Sequence, residues 1–272
     1  MTFKLFQTDK PVIGVVHLDP LPGSPGYNGD MISIQNKAYE QAMIYQDQGL
    51  SGIIFENFGD VPFFKDTVPA QTVASMTGII SQASKDLDIS FGVNVLRNDS
   101  ESALAIGYVT HASFIRVNVH SHAVITDQGW IEGRAAQILR SRKNLGSEIQ
   151  IWADVRVKHA APIVDIPLED EVRDLEQRGM ADALIVTGGH TGDHADLSEL
   201  ERVKNSAVNP VYIGSGVNAA NLSEYYDLAD GFIVGSDFKI NGDPKHNLDV
   251  DRIKSFMTKY KERSDINKRK AG

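Results

Sequence analysis

Val211-Tyr212-Ile213-Gly214-Ser215-Gly216-Val217 and, one helix later, Gly231-Phe232-Ile233-Val234-Gly235-Ser236-Asp237-Phe238-Lys239 are short apolar runs that each open into a Gly-Ser turn. Glycine lets bare backbone N–H groups approach an anion where a strand hands over to a helix. One such turn serves tight geometry as readily as a ligand. Two of them, one βα unit apart at the end of a chain, are what a phosphate clamp on the last two strands of a (β/α)8 barrel requires. The candidate phosphate-binding residues are Gly214, Ser215, Gly216, Gly235 and Ser236, with Gly188 beside them after the preceding strand.

Outward from this pair, strand and helix alternate eight times. Candidate strands cover 12–18, 52–56, 89–95, 113–119, 150–157, 183–187, 211–215 and 231–235; most are rich in Val, Ile and Phe and bounded by Gly, Asp or Asn. Leu168, Val172 and Leu175 have helical spacing after Pro167, and Asp249 caps a helix whose apolar positions are Val250, Ile253, Phe256, Met257 and Tyr260. Regular alternation implies a parallel sheet with helical crossovers, and eight units suggest closure. A doubly wound open sheet is the alternative, but no Gly-x-Gly-x-x-Gly follows the first strand. The expected fold is α/β: a single (β/α)8 TIM barrel over residues 1–265, with a phosphate-binding site at strands 7 and 8 and a basic tail at 266–272.

Parallel strands covered on both faces should read as nearly continuous apolar sequence. Here several alternate and turn polar toward their C-terminal ends, as in Phe114-Ile115-Arg116-Val117-Asn118-Val119-His120, Phe91-Gly92-Val93-Asn94-Val95 and Trp152-Ala153-Asp154-Val155-Arg156-Val157-Lys158. Alternate parities face the helices and the barrel interior. Val93, Val95, Val117, Val155 and Val157 are therefore expected to pack outward, and Asn94, Arg116, Asn118, Asp154, Arg156 and Lys158 to point inward. His17 and Asp19 join from strand one, Glu56 and Asn57 from strand two, Thr187 from strand six. Each polar group buried without a partner costs about 1–3 kcal/mol. A purely structural network, with Asp154 and Glu56 neutralising Arg116 and Arg156, accounts for any one of them; the set, gathered at C-terminal strand ends, favours a polar site.

Thr187-Gly188-Gly189-His190-Thr191-Gly192-Asp193-His194 has three glycines in its first six residues and suits a lid that closes over substrate. His190 and His194 lie four apart, but the glycines argue for a loop rather than the helix face on which such a pair binds metal, so neither a metal nor a cofactor is expected. Three prolines stiffen His17-Leu18-Asp19-Pro20-Leu21-Pro22-Gly23-Ser24-Pro25-Gly26, a candidate wall of the site.

The 272 residues match one barrel of this class, large enough to bury a core without crosslinks. The absence of cysteine excludes disulfides, a Cys zinc site and a thiol nucleophile. No secretory signal or apolar run of membrane-spanning length is legible, so a cytoplasmic protein is expected. A net charge of -9 disfavours nucleic acid as a partner. The basic stretch from Lys259 to Lys270 reads as a solvated helix end, with peripheral contact to an acidic surface as the alternative; homo-oligomerisation stays open.

The segments His17-Leu18-Asp19-Pro20-Leu21-Pro22-Gly23-Ser24-Pro25, Glu56-Asn57-Phe58-Gly59-Asp60-Val61-Pro62-Phe63, Gly92-Val93-Asn94-Val95-Leu96-Arg97-Asn98-Asp99, Ala153-Asp154-Val155-Arg156-Val157-Lys158-His159-Ala160 and Gly235-Ser236-Asp237-Phe238-Lys239 resemble those of the BtpA family. The resemblance runs from about Pro11 to Lys239. It implies a phosphate-binding (β/α)8 fold, in agreement with the reading of the residues. The family is named for a factor needed to accumulate photosystem I, and other members sit beside sugar-uptake genes; the resemblance implies no particular reaction.

Two functions fit these residues. The first is an enzyme acting on a small phosphorylated metabolite, a phosphosugar, by lyase, aldolase or isomerase chemistry. Its candidate catalytic residues are Glu56 or Asp154 as general base, His17 as alternative proton carrier, and Arg116 or Lys158 to stabilise a developing enolate or alkoxide. Lys158 is alternatively a Schiff-base nucleophile, if desolvation lowers its proton affinity. Asn94, Asn118, Arg156 and Thr187 are candidate substrate contacts. The second is a non-catalytic biogenesis, assembly or ligand-sensing factor built on the same barrel.

Overall fold

The computed structural model describes residues 5–188 and 195–271. Eight parallel strands close into a barrel: β1 (Val12–His17), β2 (Gly52–Glu56), β3 (Ser90–Asn94), β4 (Phe114–Val117), β7 (Gln150–Val155), β9 (Ala183–Val186), β10 (Val211–Ile213) and β11 (Gly231–Val234), with β11 pairing back onto β1. These are the eight strands expected, each trimmed by no more than three residues. The ring around them consists of α1 (Met31–Asp47), α2 (Ala70–Ala83), α3 (Ser100–Thr110), α4 (Ala135–Asn144), α5 (Leu168–Arg173), α6 (Leu197–Ser206), α7 (Leu222–Tyr225) and α8 (Val250–Ala271). Aspartates begin several helices by accepting from early backbone N–H groups: Asp30 from Ser33, Asp99 from Ser102, Asp196 from Ser198, and Asp249 from Asp251 and Arg252. Helix α8 continues to Ala271, through the described part of the stretch read as a basic tail.

Strand parity organises two apolar layers. Val93, Val95, Val117 and Val155 join the layer between strands and helices. The opposite parity fills the barrel: Ile13, Val15, Ile54, Phe114, Trp152, Ile185, Tyr212 and Ile233 form a separate core, with Phe6 packed into it. Trp152 is stacked between Phe114 at 3.8 Å and Tyr212 at 4.2 Å. Gly92 makes room for this stack, since a Cβ there would lie 2.3 Å from the Phe114 ring. Two residues further along the same strands, the interior becomes Arg116, Asp154, Glu56 and His17. The lower half of the cylinder is thus an aromatic plug and the upper half a polar chamber.

A second sheet stands outside the expected pattern. β5 (Ala123–Thr126) and β6 (Gly129–Glu132) form an antiparallel hairpin after β4, and β8 (Ala160–Pro162), which follows β7, pairs with β5. Val119, Ile131 and Val157 make a small core beneath it. Val157 therefore packs under this sheet, not against the helix ring as its parity suggested, because β7 has already ended at Val155. Arg156 is corrected for the same reason. Its φ of 50° breaks the alternation, and its guanidinium turns outward to Glu171 and the Ile166 carbonyl at 3.1 and 2.9 Å.

Candidate active site

The polar chamber opens at the C-terminal ends of the strands into a cavity of 210 Å³. His17, Glu56, Arg116 and Lys158 line its inner end; Gly214, Ser215, Gly216, Gly235 and Ser236 line the other. Nine of the sequence-expected residues thus meet in one space.

Inside, Arg116 forms a two-pronged pair with Asp154, Nε to Oδ1 at 2.8 Å and Nη2 to Oδ2 at 2.9 Å. Asn118 also donates to Asp154 Oδ2 at 3.1 Å. Asn94 donates to the Asn118 side chain and the Arg116 carbonyl, both at 3.1 Å. With both carboxylate oxygens engaged and no side-chain exposure, Asp154 orients Arg116 rather than standing open as a base. Burial works against the Arg116 charge, but Asp154 beside it carries the net proton affinity upward. The guanidinium is therefore a fixed cation.

Glu56 is differently placed. Burial pushes its carboxyl above the usual range, with Arg116 and Lys158 pulling the other way. His17 Nε2 lies 4.0 Å from Glu56 Oε1, too far for a hydrogen bond. Burial, with Lys239, Lys158 and Arg116 nearby, drives the imidazole well below its ordinary value, so His17 is neutral at pH 7 and the pair is not ionic. Burial and Arg116 together also lower the Lys158 ammonium. The chamber thus holds a carboxyl of raised proton affinity, a neutral imidazole and an amine of lowered proton affinity beside one locked cation. That combination is suited to moving protons.

At the outer end, the Gly214 N–H is committed to the Val186 carbonyl at 2.8 Å, and the Gly188 N–H to Ser215 Oγ at 2.6 Å. The backbone N–H groups of Gly216, Gly235 and Ser236 have no partner among the described residues. Neither turn runs directly into a long helix, as the sequence suggested. The first continues as loop to the single turn α7, and the second as a 3-10 turn over Ser236–Phe238. Thr187 is buried without lining the cavity, and its Oγ1 has no partner among the described residues. The proposed lid histidines, His190 and His194, lie outside the described residues.

Three cations escaped the sequence reading. Arg252, on the first turn of α8, lines the outer end and donates to the Asp237 carbonyl and carboxylate. Arg97 is 5% exposed and donates to the Lys158 carbonyl at 2.6 Å. Lys239 is fully buried, donates to Gln41 Oε1 at 2.6 Å, and is lowered to about 7 by burial with Lys37 nearby. The tract Gly235-Ser236-Asp237-Phe238-Lys239 announced the last of these; nothing local announced Arg252.

Among solved structures, the fold is similar to N-(5′-phosphoribosyl)anthranilate isomerase from Pyrococcus furiosus, with a TM-score of 0.55 and 14% identity over 93% of this chain and 99% of that one. It is also similar to thiamine phosphate pyrophosphorylase from Pyrococcus furiosus, with a TM-score of 0.57 and 14% identity over 93% and 96%. At such identity the likeness concerns the barrel alone. In sequence, the chain is 43% identical to the photosystem I biogenesis protein BtpA of Synechocystis over 94% of this chain and 89% of that protein. The BtpA family model matches residues 8–262, and the chain belongs to the BtpA family.

Proposed function

We propose that this protein is an enzyme acting on a small phosphorylated metabolite of the phosphosugar class. One observation carries the reading: a single cavity has backbone amides without a partner among the described residues, and Arg252, at one end and Glu56, His17, Lys158 and Arg116 at the other. Amides fixed by turns favour a doubly charged oxyanion without reorganising. Binding the phosphate there positions the carbon chain against the inner groups. Glu56 is the general base, since burial raises its proton affinity toward the working pH. Arg116, held by Asp154, stabilises the enolate or alkoxide that forms. Lys158 either relays the proton or, as a free amine, adds to a substrate carbonyl to form an imine, the carbonyl oxygen leaving as water. Two barrels of similar fold are named for phosphorylated compounds, which agrees with the reading.

The test is a thermal-shift screen of three- to six-carbon sugar phosphates, beside inorganic phosphate, on the wild type and on Ser236→Asp. A ligand at about 100 times its Kd adds about 2.7 kcal/mol, enough to raise Tm by roughly 5 °C or more in a chain of this size. The shift should vanish in Ser236→Asp, whose new carboxylate opposes the phosphate. A screen without any shift in the wild type sinks the proposal.

The name of the Synechocystis relative favours a second reading, a biogenesis or ligand-sensing factor using the same pocket. The stabilising compound separates the two: turnover that Glu56→Gln abolishes marks the enzyme, and binding without turnover marks the sensor.

A further inference from the structure

Across the Arg116–Asp154 pair from the candidate active site lies a second cavity, of 350 Å³. Arg116 lines the first and its ion-pair partner Asp154 the second, so the two cavities adjoin at this pair. Its walls come from the small sheet after β4 and β7, an addition that the barrel does not need for closure. Those walls are apolar in an exposed place. Trp130, Ile163 and Val164 keep 45%, 39% and 63% of their surface in solvent, although a folded chain normally gathers such side chains inside. A contiguous apolar surface, concave and rimmed by polar groups, marks a binding site. The rim here carries Ser121, Arg156 and Glu171, while Asn118 lies at the buried inner end. Trp130 is braced, its indole N–H donating to Glu132 Oε1 at 2.8 Å, so the ring lines the cavity at little further entropic cost.

The first cavity alone falls below the roughly 300–1,000 Å³ typical of small-molecule sites, and has room for a phosphate and a short carbon chain. The second adds apolar walls with hydrogen-bonding groups at the edge. Apolar faces and a polar edge are the chemistry of a planar heterocycle.

We infer that the substrate is bipartite, a phosphorylated sugar carrying a planar heterocyclic ring of the nucleoside monophosphate class, and that the cavity under β5, β6 and β8 holds the ring. The inference rests on the proposed phosphosugar reading, and one experiment separates their failures. The chain has two tryptophans, of which Trp152 is sealed in the barrel stack and Trp130 lines this cavity. Tryptophan emission therefore reports on the ring pocket. Four probes are titrated into the full chain: inorganic phosphate, ribose 5-phosphate, adenosine and AMP. AMP is expected to bind at least tenfold tighter than ribose 5-phosphate and to change the emission. Trp130→Phe should remove that optical change. Val124→Glu, which places a carboxylate in the apolar wall, should cancel the tenfold gain while ribose 5-phosphate still binds, showing that the variant is folded. Equal binding of AMP and ribose 5-phosphate with unchanged emission overturns the ring pocket and leaves the phosphosugar reading standing. An emission change with adenosine, when neither phosphorylated sugar binds better than adenosine, keeps the ring pocket and removes the phosphate. Silence from all four probes overturns both.

Discussion

At the scale of single residues, the candidate site is stocked with groups whose ionised form the fold resists. Glu56 is the clearest. Burial raises its carboxyl above the ordinary value of 4.5, and the cations around it offset only part of that cost. A carboxyl that holds its proton more tightly folded than unfolded contributes most stability below the unfolded value and loses it as pH rises through the folded one. Above its folded value the ionised Glu56 is therefore a burden, and an uncharged isostere relieves it. Glu56→Gln should be more stable than the wild type at pH 8, on the order of 1 kcal/mol, the scale on which relaxing a functional group stabilises a protein. The advantage should shrink as pH falls toward 5, because the folded wild type then takes up its proton at this position while the unfolded chain, at the ordinary value of 4.5, still mostly ionises. Urea unfolding at pH 8, 6.5 and 5 checks the sign. A glutamine variant weaker than the wild type at pH 8 would mean that Glu56 is held as a structural counter-ion to Arg116 and Lys158.

At the scale of elements, the loops after β1 and β2 act as one piece. The Gly59 N–H donates to the Leu18 carbonyl at 2.9 Å, and Asp60 accepts from the Leu21 N–H at 2.7 Å. Gly59 has no room for a side chain: a Cβ would sit 2.5 Å from Pro20 N and 2.7 Å from both the Asp19 carbonyl carbon and Leu18 O, all unyielding backbone. Gly59→Ala must part the loops that carry His17 and Glu56, at a cost of about 1–3 kcal/mol. Gly29→Ala is the control, with a φ of +90° but open space around it, and should lose only about 1 kcal/mol. Thermal melts and ligand titrations of the two variants should diverge, with binding lost in Gly59→Ala alone; equal behaviour would refute the coupling. This lacing joins loops distant in sequence, and that explains what was legible beforehand. The eight barrel strands could be read because Phe114 and Arg116, or Trp152 and Asp154, share a parity and change polarity along it. β5, β6 and β8 were not: most of their residues are partly or fully exposed and β8 is Ala-Ala-Pro, so no buried apolar run marks them. Arg156 was misread because parity holds only while a strand continues. Arg252 reaches the outer turn from a helix whose own pattern describes its buried side.

At the scale of the whole molecule, the cylinder separates stability from chemistry along its axis. Phe114 and Trp152 each lie two residues before the ionic pair, roughly 7 Å lower in the barrel. The lower layer is aromatic, stacked and dry; the upper is charged, and its buried groups cost stability rather than supply it. The plug must therefore offset the site, as expected of a barrel whose lower face serves stability and whose upper face serves function. Trp152→Ala tests this division. It removes the central ring of the Phe114–Trp152–Tyr212 stack and should cost about 3–5 kcal/mol. Asp154 stays anchored by Arg116 and Asn118, so the ligand found in the thermal-shift screen should keep its affinity to within about threefold at temperatures where the variant is folded. Denaturant unfolding gives the first quantity and calorimetric titration the second. If affinity collapses in a folded Trp152→Ala, the two layers are mechanically one, and the polar chamber owes its geometry to the aromatic floor rather than to its own ion pair.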